Sequence, residues 1–125
     1  MVIGIGIDIV RTDRIARAAA RFGDRFLSRV FSEAERAACD ATADTASCLA
    51  GRFAAKEAAQ KALGTGWSAG VGFRTIEILR EPGGPPRLAF HGAAGRIAVG
   101  LGVVHALVSI THDAGVAAAV VVLEG

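Results

Sequence analysis

The chain has 125 residues, 52% hydrophobic and 21% charged, a balance that supports one compact core and excludes intrinsic disorder. Its 14 basic and 12 acidic residues leave a net charge of only +2, so overall charge gives no nucleic-acid signal. No apolar run is long enough for a membrane helix, and the first residues lack a secretory leader; a cytoplasmic, soluble protein is expected, with Cys39 and Cys48 as free thiols.

Residues 2–10 alternate β-branched side chains with glycine, which predicts a strand that lets other backbone or a ligand come close. From Thr12, an expected N-cap, the spacing turns helical. Ile15, Ala19, Phe22 and Phe26 share one face, Arg14, Arg17, Arg21 and Arg25 another, and Gly23 marks a break. Ser32 and Glu35 have the spacing of a capping box opening a short helix through Cys39. A polar loop over 40–45 precedes the longest predicted helix, 46–63, capped by Asp44 or Thr45 and ended by Gly64.

A glycine-rich loop, 64–72, leads to two short strands, 75–80 and 87–90, joined by the turn residues Pro82 to Pro86. A short helix is expected over 92–101. Strands at 104–111 and 116–123 then close the chain as a hairpin around His112, Asp113, Ala114 and Gly115. Hairpins without regular βαβ alternation predict an α+β class, with a mainly antiparallel sheet in one domain spanning 1–125.

Three features carry chemistry. Gly4 and Gly6 lead to Asp8 at a strand end; the dinucleotide fingerprint fails because position 9 is Ile, leaving a turn-capping Asp or a carboxylate for a hard metal. On the long helix, Phe53, Glu57 and Lys61 are four apart and share a face, with Arg52 and Lys56 as a neighbouring stripe. Glu57 and Lys61 read either as a solvated pair or, given Phe53 on that face, as part of a site. His112 is either an exposed turn residue or a proton-transfer group. His91 and His105 carry no pattern and are taken as structural.

Taken together and in order, these features resemble the holo-[acyl-carrier-protein] synthase family of 4′-phosphopantetheinyl transferases over essentially the whole chain. The resemblance rests on Gly4-Ile-Gly-Ile-Asp8, Arg52-Phe-Ala-Ala-Lys-Glu57, Lys61-Ala-Leu-Gly64-Thr-Gly66, Pro86-Arg-Leu and Ser109-Ile-Thr-His112. It implies transfer of phosphopantetheine from coenzyme A to a serine of an acyl carrier protein, with release of adenosine 3′,5′-bisphosphate. Asp8 and Glu57 match the family's Mg²⁺ ligands, Lys61 its phosphate contact, and Arg52, Gly64, Gly66 and His112 its coenzyme A contacts. Glu57, or a water that Asp8 poises, becomes the candidate base, with His112 and Asp113 as phosphate contact or relay.

The same resemblance makes the arginine-rich helix a docking face for an acidic carrier protein, with Arg14, Arg21, Phe22 and Arg25 as its residues. It also implies a homotrimer with active sites between subunits. Two departures stand out. Arg11 occupies a position where the family usually has an acidic residue, and the loop before the long helix, 40–47, lacks the family's usual basic residues. Two rival readings are a non-catalytic carrier-binding module, which the presence of Asp8, Glu57 and Lys61 opposes, and a nucleotide-binding protein resting on Gly4 and Gly6 alone.

Overall fold

A computed structural model describes all residues, 1–125. Strand β1 (Val2–Arg11) leads directly into helices α1 (Thr12–Phe22) and α2 (Asp24–Val30), followed by α3 (Glu33–Asp40) and the long α4 (Thr45–Leu63). A 3₁₀ turn (Phe73–Thr75) precedes β2 (Ile76–Arg80), β3 (Pro86–Phe90), α5 (Gly92–Gly100), β4 (His105–Asp113) and β5 (Val116–Glu124). All strand pairings are antiparallel, in a three-stranded sheet ordered β1-β5-β4 and a separate β2-β3 hairpin. The expected α+β class and both hairpins are present.

Most local stops and starts fall where the residues require them. Ser32 Oγ accepts from Glu35 N while Glu35 Oε1 accepts from Ser32 N, completing the capping box of α3. Asp44 rather than Thr45 caps α4, accepting from Ser47 N at 3.1 Å, and Gly64 ends it in the left-handed conformation at φ 79°. Thr12 differs from expectation: it is the first residue of α1, and the cap position falls to Arg11, which makes no side-chain cap. The reason is tertiary: β1 stays paired with β5 out to Arg11, opposite Val116, and Thr12 N–H donates to Gly115 O at 2.9 Å, so the extended backbone ends at Arg11.

Helix α4 is the core of the molecule and is buried along most of its length, most of its alanines together with Arg52, Lys56 and Gln60. It lies directly on the sheet because β1 presents glycines to it. A methyl group at Gly4 or Gly6 would collide with the carbonyl of Ala62 or Ala58, so neither position accepts a side chain at this separation. The inward parity of β1 continues to Asp8 and Val10. The outward parity places Ile5, Ile7 and Ile9 on the opposite face, where they are 66%, 68% and 65% exposed; Leu107 of β4 is exposed on the far side of β5.

Three expectations are corrected. Cys39 and Cys48 form a disulfide rather than free thiols; the short connection between α3 and α4 turns the end of one helix against the start of the next, with Cα atoms 5.3 Å apart. Lys56 does not belong to an exposed charged stripe. It is fully buried, 2.9 Å from Glu35 Oε1, and donates to Phe73 O and Ile76 O, while Glu35 Oε2 accepts from Ile78 N. His112 is not at a turn tip either, because β4 runs on to Asp113 and the turn is only Ala114-Gly115, both at positive φ.

Candidate active site

Asp8 is carried inward by the parity of β1 to the side of α4, where Lys61 meets it. The Lys61 ammonium donates to Asp8 Oδ1 at 3.2 Å and to Ile7 O at 3.0 Å. Glu57 sits one helical turn before Lys61, so Asp8 lies against the turn of α4 that carries the second carboxylate. The Asp8 side chain is 19% exposed and Lys61 48%, an edge open to ligand rather than a sealed ion pair.

The loop after Gly64 folds back over Glu57. Gly64 and Gly66 both take positive φ, 79° and 60°, which reverses the chain and brings Trp67 to the helix. Trp67 Nε1 donates to Glu57 Oε2 at 3.3 Å, and Gln60 Nε2 to the same oxygen at 3.4 Å. Neither Trp67 nor Gln60 carries a sequence signal; their role emerges from the reversal at the two glycines.

The donor chemistry fits a hard cation. No group of three or more His, Cys, Asp or Glu side chains gathers anywhere in the chain. A divalent ion held by Asp8 and Glu57 would therefore take its remaining oxygens from substrate and water, as Mg²⁺ does and as an all-protein cage does not.

A second cluster lies elsewhere on the chain. Arg52, Arg80, Ser109 and His112 line a cavity of about 440 Å³ together with Ser47 and Pro86, and neither Asp8, Glu57 nor Lys61 reaches it. His112 Nε2 donates to Ser47 O at 2.8 Å, which fixes the ring, and its imidazole lies so close to Gly51 that a side chain there would strike it. Arg52 donates to Cys48 Sγ at 2.9 Å, yet its buried Nε has no partner. Burial is the main cause lowering the Arg52 pKa, opposed by Glu35. Within one chain the residues expected to hold coenzyme A are thus split: Lys61, Gly64 and Gly66 in one place, Arg52 and His112 in another.

The arginine-rich surface adjoins the first cluster. The Arg14 guanidinium lies 5.5 Å from the Phe53 ring centre, one turn before Glu57 on α4. Phe22 is half exposed beneath Arg21, and with Arg25, Phe26 and Arg29 it lines a surface groove of about 270 Å³. Arg11 and Arg17 are engaged by Asp13, whereas Arg14, Arg21 and Arg25 have no carboxylate within ion-pairing distance.

Comparison with known proteins gives a consistent set of relatives. Residues 4–121 match the family model of the 4′-phosphopantetheinyl transferase superfamily. The chain is 54% identical over 125 residues to the holo-[acyl-carrier-protein] synthase of Solidesulfovibrio magneticus, covering 100% of both. It is 49% identical over 124 residues to that of Koribacter versatilis, covering 99% of each. Among solved structures, the Neisseria meningitidis holo-[acyl-carrier-protein] synthase superposes with a TM-score of 0.90 at 34% identity over 100% of both chains. The Helicobacter pylori enzyme in complex with coenzyme A gives 0.84 at 37% identity, covering 96% of this chain and 99% of that one.

Proposed function

We infer that this chain, which belongs to the 4′-phosphopantetheinyl transferase superfamily, transfers the 4′-phosphopantetheine of coenzyme A to a serine of apo acyl carrier protein. The products are holo carrier protein and adenosine 3′,5′-bisphosphate. The observation that carries this reading is the meeting of Asp8 and Lys61 on the turn of α4 that bears Glu57, in a chain whose relatives match it from end to end.

The transfer forms a bond from the serine oxygen to the β-phosphorus of coenzyme A and breaks the bond from that phosphorus to the bridging oxygen. The protein's task is chiefly to place two reactants in line and to balance phosphate charge. Asp8 and Glu57 would hold Mg²⁺, which when bound neutralises pyrophosphate charge as a Lewis acid. Lys61, with nearly half its side chain exposed, would be free to turn from Asp8 to the same phosphates if Asp8 held the metal. Glu57 would receive the serine proton as general base. Gly64 and Gly66 leave backbone open to close approach by coenzyme A.

The carrier docks, in this reading, on α1 and α2. Arg14, Arg21 and Arg25 offer unpaired positive charge to an acidic partner, and Phe22 supplies an apolar contact. Because α1 follows directly from the strand that ends near Asp8, docking there brings the serine to the metal-binding edge.

Two observations support a homotrimer with sites between subunits. The isoleucine face of β1 is too apolar and too exposed for an isolated chain, and Arg52 and His112 lie in a cavity away from Asp8 and Lys61. A neighbouring subunit seated on this sheet face would let one chain's Arg52 and His112 complete the coenzyme A site of the next. Residues 1–125 act as one transferase domain. No helix is long and apolar enough to cross a membrane. We place the reaction in the cytoplasm because of its substrates, with a carrier of fatty-acid or polyketide synthesis as acceptor.

Incubation with coenzyme A, Mg²⁺ and apo carrier protein, read by intact-protein mass spectrometry, tests the activity. Addition of the phosphopantetheine arm to the carrier is expected. Coenzyme A binding without addition to any of several carriers would instead favour a non-catalytic module. Light scattering tests the assembly: Ile5→Lys with Ile7→Lys should convert a trimer to monomers, and a wild-type monomer would remove this part of the reading.

A further inference from the structure

The contacts of Glu57 are asymmetric. Trp67 Nε1 and Gln60 Nε2 both donate to Oε2, and Oε1 accepts no hydrogen bond. A free carboxylate presents two equivalent oxygens by rotation about its terminal torsion, whereas one anchored at a single oxygen presents the other.

The anchor is itself held. The Trp67 ring packs on Phe73 with centroids 4.2 Å apart, and Phe73 stacks on Phe53 at 5.4 Å. Phe53 lies four residues before Glu57 on α4, so the ladder starts one turn before the residue on which it ends, on the same face. The backbone of Phe73 is fixed in turn by the buried Lys56 ammonium, which donates to Phe73 O at 2.9 Å. The closed path runs from Phe53 through Phe73 and Trp67 to Glu57.

We propose that Trp67 is a positioning residue that clamps Glu57 through Oε2, so that Oε1 alone is presented to the cation and the serine proton. Trp67 touches neither and acts through Glu57; the inference rests on the reading of Glu57 given above. Gln60 assists but cannot replace it, since its amide lacks the aromatic stack that fixes the indole in place.

The chain has one tryptophan, which makes the clamp directly visible by fluorescence. In the full chain without coenzyme A, Glu57→Gln should change Trp67 emission, and Mg²⁺ should change it in the wild type but not in that variant. In the transfer assay, Trp67→Phe keeps an aromatic ring on Phe73 and loses only the donor. Loss of one hydrogen bond of ordinary strength, as suits the 3.3 Å contact, predicts a rise of about five- to tenfold in the Mg²⁺ concentration for half-maximal rate, with the carrier-protein KM unchanged. Trp67→Leu, lacking ring and donor, should be at least as impaired.

Wild-type Mg²⁺ dependence in Trp67→Phe, or emission indifferent to Glu57→Gln, would overturn the clamp while Glu57→Gln remained inactive. Normal turnover and Mg²⁺ dependence in Glu57→Gln would instead remove the role of Glu57 itself, and the clamp with it. The emission comparison needs no Trp67 variant, so it decides the matter even if that substitution fails to fold.

Discussion

Lys61 and Asp8 are 53 residues apart in sequence and 3.2 Å apart in space. That pair joins the first strand to the long helix one turn after Glu57. It neutralises Asp8 in the ligand-free chain and leaves a cation at hand for phosphate when the carboxylate is engaged elsewhere.

The two carboxylates should be separable by their kinetics. Asp8→Asn should raise the Mg²⁺ concentration for half-maximal rate and lower the rate together. Glu57→Gln should lower kcat by about 10²-fold or more, the range for loss of a positioned base, even at saturating Mg²⁺. Single-turnover rates across a Mg²⁺ titration check this; a near-normal saturated rate in Glu57→Gln would exclude it as the base.

Charge reversal on α1 should act on the partner rather than on chemistry. Arg14→Glu with Arg21→Glu is expected to raise the carrier-protein KM about tenfold or more at low salt and to flatten its salt dependence, with the coenzyme A KM unchanged. Steady-state kinetics between low and moderate ionic strength would show it. An unaltered carrier KM would put docking on another surface.

The buried Lys56–Glu35 pair predicts strong non-additivity. Lys56→Met leaves Glu35 charged, buried and without its ion partner, and should destabilise the fold by about 3–5 kcal/mol. Lys56→Met combined with Glu35→Met removes both charges and should be much closer to wild type than the sum of the single losses. Denaturant unfolding of the four proteins measures the coupling.

Glu77 supplies a pH-dependent contribution. Its carboxyl accepts from Ser32 Oγ at 2.6 Å, the main cause, and lies 2.9 Å from His91 Nε2; together these hold its pKa below the ordinary 4.5. A carboxylate with a depressed folded pKa stabilises fully above its unfolded value and loses that contribution as pH falls through the folded one. Wild type should therefore exceed Glu77→Gln in Tm near pH 7, and the gap should close below about pH 4.5. Melting both proteins from pH 7 to pH 3 is the check, and a constant gap would refute the assignment.

Sequence alone determined the local punctuation: the Ser32–Glu35 capping box, a cap at Asp44 or Thr45, the Gly64 stop and the proline-glycine turn before β3. Each of these is written in residues a few positions apart, where hydrogen-bond geometry leaves few options. It also carried the family pattern that joined Asp8 to Glu57, which neither residue signals by itself. Only the tertiary structure decided the rest. Pairing of β1 with β5, burial of Lys56 against Glu35, the Cys39–Cys48 disulfide, the place of His112 along β4 and the seat of Trp67 on Glu57 all depend on segments distant in sequence meeting around α4. A charged or aromatic residue reads the same in sequence whether its partner is solvent or a side chain forty positions away. Packing of β1 onto α4 at Gly4 and Gly6 is what distinguishes the two cases here, because that close approach sets which face of the helix is sealed and which is left open at Asp8.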